Sequence, residues 1–143
     1  MRSRDILASK GSKVWCVREN ATIHNALEML TSRKIGALVV LDKKDRVCGI
    51  ISERDILHAC HADRKNFDRL PVKDVMSRPV QTVKSDDSID YLMEVMTNKR
   101  VRHLPVVDDG KLQGIVSIGD VVKARLNELT DENKQLTDYM FFQ

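Results

Sequence analysis

Apolar positions recur in two rhythms along this chain, and the order of the rhythms is written twice. Ile23, Ala26, Leu27 and Leu30 fall at i, i+3, i+4 and i+7, the stripe of a half-buried helix. Ile89, Leu92, Met93 and Met96 repeat that stripe 66 residues later. Thr22 and Ser88 stand one residue ahead of each stripe, where a hydroxyl accepts from an orphan backbone N–H. Both methionines are expected in the core, because the thioether fills irregular gaps. Short β-branched runs flank each helix. Residues 14–17, 37–41 and 47–51 make up the first set, and 80–83, 104–107 and 112–116 the second. Nearly continuous apolar runs of this length suit strands covered on both faces. The turn at 108–111 carries an Asp-Gly hairpin signal. A short apolar-acidic segment opens each copy, Asp5-Ile6-Leu7 and Asp74-Val75-Met76, and Pro71 suits the first turn of the latter.

The pattern predicts β-α-β-β-α in each copy, an α/β fold of two pseudo-symmetric repeats packed sheet to sheet. Each repeat alone holds about sixty residues and is marginal for independent folding, so both are expected to form one cooperative unit with matching faces buried around a pseudo-two-fold axis. The expected boundaries are 1–65 and 66–128 for the repeats, with a helical extension over 129–143. From Gly119 onward the chain reads as one long helix, in which Val122, Leu126, Leu129, Asn133, Leu136 and Met140 step by 4 and 3 alternately. This is a heptad seam with one polar residue, a device that fixes register in a coiled coil. The spacing favours a contact between subunits over packing of the helix on its own domain.

Charge narrows the function classes. The chain has 24 basic and 21 acidic residues, net +3, well mixed along its 143 residues. That balance and the scarcity of aromatic rings argue against a nucleic-acid partner. No apolar run approaches the ~20 residues of a membrane helix, and the start shows no secretory h-region. A cytoplasmic protein is expected, or a mature organellar form that has lost a targeting segment. Cys16, Cys48 and Cys60 have no metal-ligand spacing and read as reduced, inert thiols. His58 and His61 lie three residues apart with no third ligand in view, so they read as exposed helix-end residues and no metal site is expected.

The repeated Gly-x-x-Ser-x-x-Asp carries the candidate chemistry. Gly49, Ser52 and Asp55 recur as Gly114, Ser117 and Asp120. Each Ser falls at a strand-to-helix junction and each Asp in the first helical turn. That spacing serves a capping box. Alternatively, the carboxylate accepts both hydroxyls of a ribose, the role an acid plays in dinucleotide folds, beside a helix N-terminus that favours anionic groups. Ser117, His103 and Asp120 make a hydrolytic triad only on paper, since the serine motif occurs twice and the histidine once; no catalytic residues are assigned.

Residues 35–40, Ser52-Glu53-Arg54-Asp55, residues 101–106 and residues 117–123 together resemble the CBS domains, as found in stand-alone tandem proteins of bacteria and plant organelles. The resemblance implies a CBS pair, or Bateman module, that forms a homodimer and binds an adenosine compound in clefts between the repeats. AMP, ADP, ATP, NAD(H) and S-adenosylmethionine are the ligands implied. By the same resemblance Asp55, Asp120, Ser52 and Ser117 hold ribose. Cys16, Ala37, Thr82 and Pro105 lie against the base. Arg102 and His103 reach phosphate, with Arg54, Arg100 and Lys99 as further candidates. A regulatory role toward an effector protein follows, and a purely structural oligomerisation module with vestigial clefts is the alternative. The copies differ here. The first has Gly36-Ala37 where the second has Arg102-His103, and the second has Gly119 where the first has Arg54, so the two sites are expected to be inequivalent.

Overall fold

The computed structural model describes residues 1–141. Five helices and five strands follow one another as α1 (Ser3–Lys10), β1 (Cys16–Arg18), α2 (Ile23–Arg33), β2 (Ala37–Leu41), β3 (Val47–Ser52), α3 (Glu53–Ala62), α4 (Ile89–Lys99), β4 (His103–Asp108), β5 (Lys111–Ser117) and α5 (Ile118–Phe141). Two short 3-10 turns, Phe67–Arg69 and Val72–Asp74, lie between the copies. The mixed α/β character and the long final helix agree with the pattern read from the sequence.

The chain divides into two compact units that interleave along it. One gathers Met1–Ser12, Thr82–Asp108 and the described residues from Gln113 onward; the other gathers Lys13–Gln81 with Asp109–Leu112. The opening segment of each repeat therefore belongs with the body of the other repeat. Backbone bonds fix this. Ser3 and Arg4 donate to the carbonyls of Asp87 and Ser85, both at 2.9 Å. Val72 and Lys73 donate to the carbonyls of Ala21 and Glu19 at 2.7 and 2.9 Å.

In the unit built on the first repeat, β1 runs parallel to β2, with Val17 opposite Val40, and β3 returns antiparallel, with Ala37 opposite Ser52. Thr22 caps α2, its hydroxyl accepting from Asn25 N at 3.2 Å. Ile23, Leu38, Val40, Ile51 and Val72 are fully buried at the centre of its core. The polar stretch that the sequence places between the copies, residues 61–70, contributes to this unit too, since Phe67 packs against the core.

In the other unit β4 pairs with β5 across a turn whose Asp109 and Gly110 both have positive φ, 51° and 77°, the I′ geometry that Asp-Gly favours. Ser88 caps α4, accepting from Tyr91 N at 3.1 Å. Ile89, Leu92, Leu104, Val106 and Val116 form the centre of the core, joined by Ile6 and Leu7 of α1. Two expectations change here. Residues 80–83 form no strand; only Val83 makes a parallel bridge, to Val106. Prolines explain the shortfall on both sides, since Pro79 and Pro105 lack the N–H a ladder needs. Met93 is 39 % exposed while Met96 is buried at 4 %; the helix turns only one of its two seam methionines fully inward.

The paired glycines of the repeated motif have a packing reason. A Cβ on Gly114 would stand 2.6 and 2.9 Å from the two methyls of Leu7. A Cβ on Gly49 would run into the Met76 thioether. Leu7 and Met76 are the last residues of the two apolar-acidic openers. Each motif glycine thus leaves room for the side chain of the exchanged opening segment.

Candidate functional site

Both motif acids sit where a strand hands over to a helix. At α3, Asp55 Oδ2 accepts from Ser52 N at 2.9 Å and from its hydroxyl at 3.1 Å, while Asp55 N donates to Ser52 Oγ at 3.3 Å. At α5, Asp120 Oδ2 accepts from Ser117 N at 2.8 Å, and Asp120 N donates to Ser117 Oγ at 3.2 Å. The capping box read from the spacing is present at both positions, with aspartate in place of glutamate. The first helical amide is satisfied equivalently in each copy: Glu53 N donates to Gly36 O at 3.1 Å, and Ile118 N to Arg102 O at 2.9 Å.

The third partner of each acid differs. Ser77 Oγ donates to Asp55 Oδ1 at 2.8 Å. Lys10 Nζ lies 2.6 Å from Asp120 Oδ2 and also donates to Ile115 O at 3.0 Å. One acid is therefore held by neutral hydroxyls and an amide, the other by a full positive charge. Partial burial raises the Asp120 pKa, but the Lys10 ammonium, the Ser117 N–H and the Lys10 charge together outweigh it and leave the carboxyl below its ordinary value. Beside this pair is a hollow of about 130 Å³ lined by Asp5, Ser9, Lys10, Asp120, Lys123 and Asn127 among others. A larger hollow of about 360 Å³ lies in the other unit against α2 and α3, lined mainly by Leu27, Leu30, Ile56, Leu57, Cys60 and Phe67. It is apolar and presents Glu53 as its sole charge.

The remaining candidates fall into the two units separately. Cys16, Ala37, Ser52, Arg54 and Asp55 belong with the first repeat; Thr82, Lys99, Arg100, Arg102, His103, Pro105, Ser117 and Asp120 belong with the second. Cys16 is half-buried in β1, and burial pushes its thiol pKa up against the lowering effect of Arg18. Ala37 opens β2 and is 8 % exposed. Thr82 is exposed, next to the Val83 bridge. Pro105 is buried in β4, its carbonyl accepting from Val83 N at 3.0 Å. Arg54 is exposed in the first turn of α3. Arg102 is exposed and its carbonyl bonds the first amide of α5, which sets it and His103 at the same helix start as Asp120. Lys99 ends α4, and Arg100 is its left-handed cap with φ 54°; both are exposed.

Sequence reasoning missed Lys10 and Ser77. At the repeat offset that relates Asp55 to Asp120, Lys10 falls opposite Val75 and has no basic counterpart, while Ser77 falls opposite Ser12. Each approaches its acid because the opening segment is exchanged, which no local pattern reveals. Among the described residues, no group of three or more His, Cys, Asp and Glu stands together as a metal cluster, and no helix is long and apolar enough to cross a membrane.

With this geometry in hand, comparison with known proteins identifies the class. A family model for the CBS domain matches twice, over residues 4–62 and 72–127. The chain belongs to the CBS domain family. It is 34 % identical over 145 residues to the mitochondrial CBS domain-containing protein CBSX3 of Arabidopsis thaliana, covering 95 % of this chain and 70 % of that one. The CBS-domain protein ATU1752 of Agrobacterium tumefaciens superposes with a TM-score of 0.83 at 40 % identity, covering 87 % of this chain and 92 % of that one. The CBS domain pair of protein MJ0100, solved in complex with 5-methylthioadenosine and S-adenosyl-L-methionine, superposes with a TM-score of 0.78 at 26 % identity over 90 % of this chain and 98 % of that one.

Proposed function

We propose that the protein is a non-catalytic regulatory module whose two Ser-x-x-Asp sites take adenosine-containing ligands, AMP, ADP, ATP or NAD(H), and whose response is passed to an effector protein. The observation that carries the reading is the duplication of one acid at one helix start, in a family with a member solved around adenosine compounds. Asp55 and Asp120 receive the ribose hydroxyls, with Ser52 and Ser117 holding each carboxylate in place. Cys16 and Ala37, or Thr82 and Pro105, lie against the base. Arg102 and His103 share a helix start with Asp120 and supply charge for phosphate, supported by Lys99 and Arg100; Arg54 has the equivalent role beside Asp55. A planar guanidinium meets phosphate bidentately, and the helix N-terminus adds its own positive end. The working division is repeat 1 over 1–65, repeat 2 over 66–128 and the helical extension beyond, acting as a homodimer in the cytoplasm or an organelle matrix.

A ligand that binds only the folded state stabilises it by about 2.7 kcal/mol at a hundred times its dissociation constant. Thermal shift against AMP, ADP, ATP, NAD⁺, NADH and S-adenosylmethionine tests the proposal. At least one compound should raise the melting temperature, and Asp55→Ala or Asp120→Ala should abolish the shift at its own site. A second reading has a specific observation behind it. Both oxygens of Asp55 already accept from protein groups, Ser52 and Ser77, so that acid serves as a structural cap without a ligand. If no compound shifts either site, the chain is a structural oligomerisation module. Steady turnover of any of these nucleotides by the pure protein would instead show an enzyme.

A further inference from the structure

Helix α5 carries apolar residues on two faces, and only one of them is used by its own unit. Val121 and Ala124 are buried, at 1 % and 6 % exposure, and Arg125 and Glu128 are half-buried on the same side. At about 100° per residue, the seam Val122, Leu126, Leu129, Leu136 and Met140 lies roughly a quarter-turn or more from that face. These five remain 50, 58, 46, 61 and 75 % exposed. A straight apolar line of this kind, held open to water over most of a 24-residue helix, marks an interaction surface. Its alternating steps of four and three match a second helix of the same spacing.

We propose that the seam is covered by a second copy of this chain, α5 against α5, as a parallel, in-register, two-stranded coiled coil with Asn133 facing its own counterpart. The polar residue and the flanking charges choose the orientation. In the parallel arrangement Asn133 meets an identical amide, and each side chain offers both a donor and an acceptor. In the antiparallel arrangement, layers that pair Leu126 with Leu136 also pair Asn133 with Leu129, which buries an amide against a leucine. That arrangement also sets Glu132 beside Glu132 of the second copy. In the parallel one, Arg125 and Glu132 flank the partner's Thr130 and the partner's Thr137, so no like charges meet across the seam. Both threonines are already satisfied within their helix, Thr130 Oγ1 donating to Leu126 O and Thr137 Oγ1 to Asn133 O, each at 2.9 Å. They ask nothing of a partner and leave those flanks neutral.

The test is site-specific crosslinking in the full chain with Cys16, Cys48 and Cys60 replaced by serine. Leu136→Cys, on the seam, should form a covalent dimer under mild oxidation. Asp138→Cys, on the outer face, should not. Equal crosslinking at both positions, or at neither, overturns the proposal, as does preferential joining of a Leu126→Cys chain to a Leu136→Cys chain. A second measurement keeps the native cysteines. By sedimentation equilibrium, Leu129→Glu with Leu136→Glu should weaken self-association at least tenfold while circular dichroism shows the fold intact. A native chain that is monomeric at tens of micromolar, or a double variant that associates as tightly as the native chain, refutes it.

Discussion

Replacing Gly114 with alanine tests whether the motif glycines exist to admit the exchanged opening segments. The new methyl would stand 2.6 and 2.9 Å from the Leu7 methyls and 3.3 Å from Leu7 Cγ. Leu7 is 8 % exposed and shares a core cluster with Val116 and Leu104, so it has little room to withdraw. Overpacking of this kind costs about 1–3 kcal/mol. Alanine also restricts the unfolded chain, which returns about 0.4–1 kcal/mol. The expected net loss is about 1–2 kcal/mol, or roughly 3–6 °C of melting temperature for a chain of this size. Gly49→Ala meets Met76 instead, whose unbranched thioether swings aside more readily, so its loss should be smaller. Urea denaturation measures both losses, with an unchanged slope as the check that unfolding stays two-state. The decisive variant is Gly114→Ala in a Leu7→Ala background. Leu7→Ala alone should lose about 2–5 kcal/mol, and adding Gly114→Ala should then lose nothing further. If the alanine at 114 destabilises equally whether or not Leu7 is present, contact with the opener is not the reason for the glycine.

Four further outcomes follow from the acids and thiols. Because the folded Asp120 carboxyl lies below its ordinary value, the stability it contributes is present above about pH 4 and is lost as pH falls through the folded value; Asp42 and Asp108 are lowered as well, through Arg46 and Ser85 first, so the Asp120 share is read as the difference between native and Lys10→Met acid-denaturation curves. At neutral pH Lys10→Met should lose about 0.5–1 kcal/mol by urea titration, since the pair is only partly buried. If Asp120 takes ribose, removing the competing ammonium should tighten binding of uncharged adenosine about two- to fivefold by calorimetry, the same energy expressed as affinity; weaker adenosine binding would show that Lys10 contacts the ligand instead. Cys16 and Cys48 have pKa values raised first by burial, and Cys48 further by Glu19, so both should react with a thiol reagent at neutral pH much more slowly in the folded chain than in urea.

The repeat, its order of helices and of every strand except the one expected over residues 80–83, the two helix caps, the Asp-Gly turn and the heptad spacing were legible in the sequence. Each is a local or periodic property: Thr22 and Ser88 cap because of the residue three positions on, and Asp109-Gly110 turns because of its own backbone freedom. The acids were legible for the same reason, since Ser52 and Asp55 meet across a single helical turn. Tertiary structure alone decided which opener serves which repeat, and with it that Lys10 pairs with Asp120 while Ser77 bonds Asp55. It also decided that Met93 stays half out of the core and that residues 80–83 supply one bridge rather than a strand. Those outcomes depend on contacts between segments more than 20 residues apart in the chain, where the spacing of residues carries no information about who meets whom. Periodicity names the faces a chain must bury; the packing of the whole chain selects the partner for each.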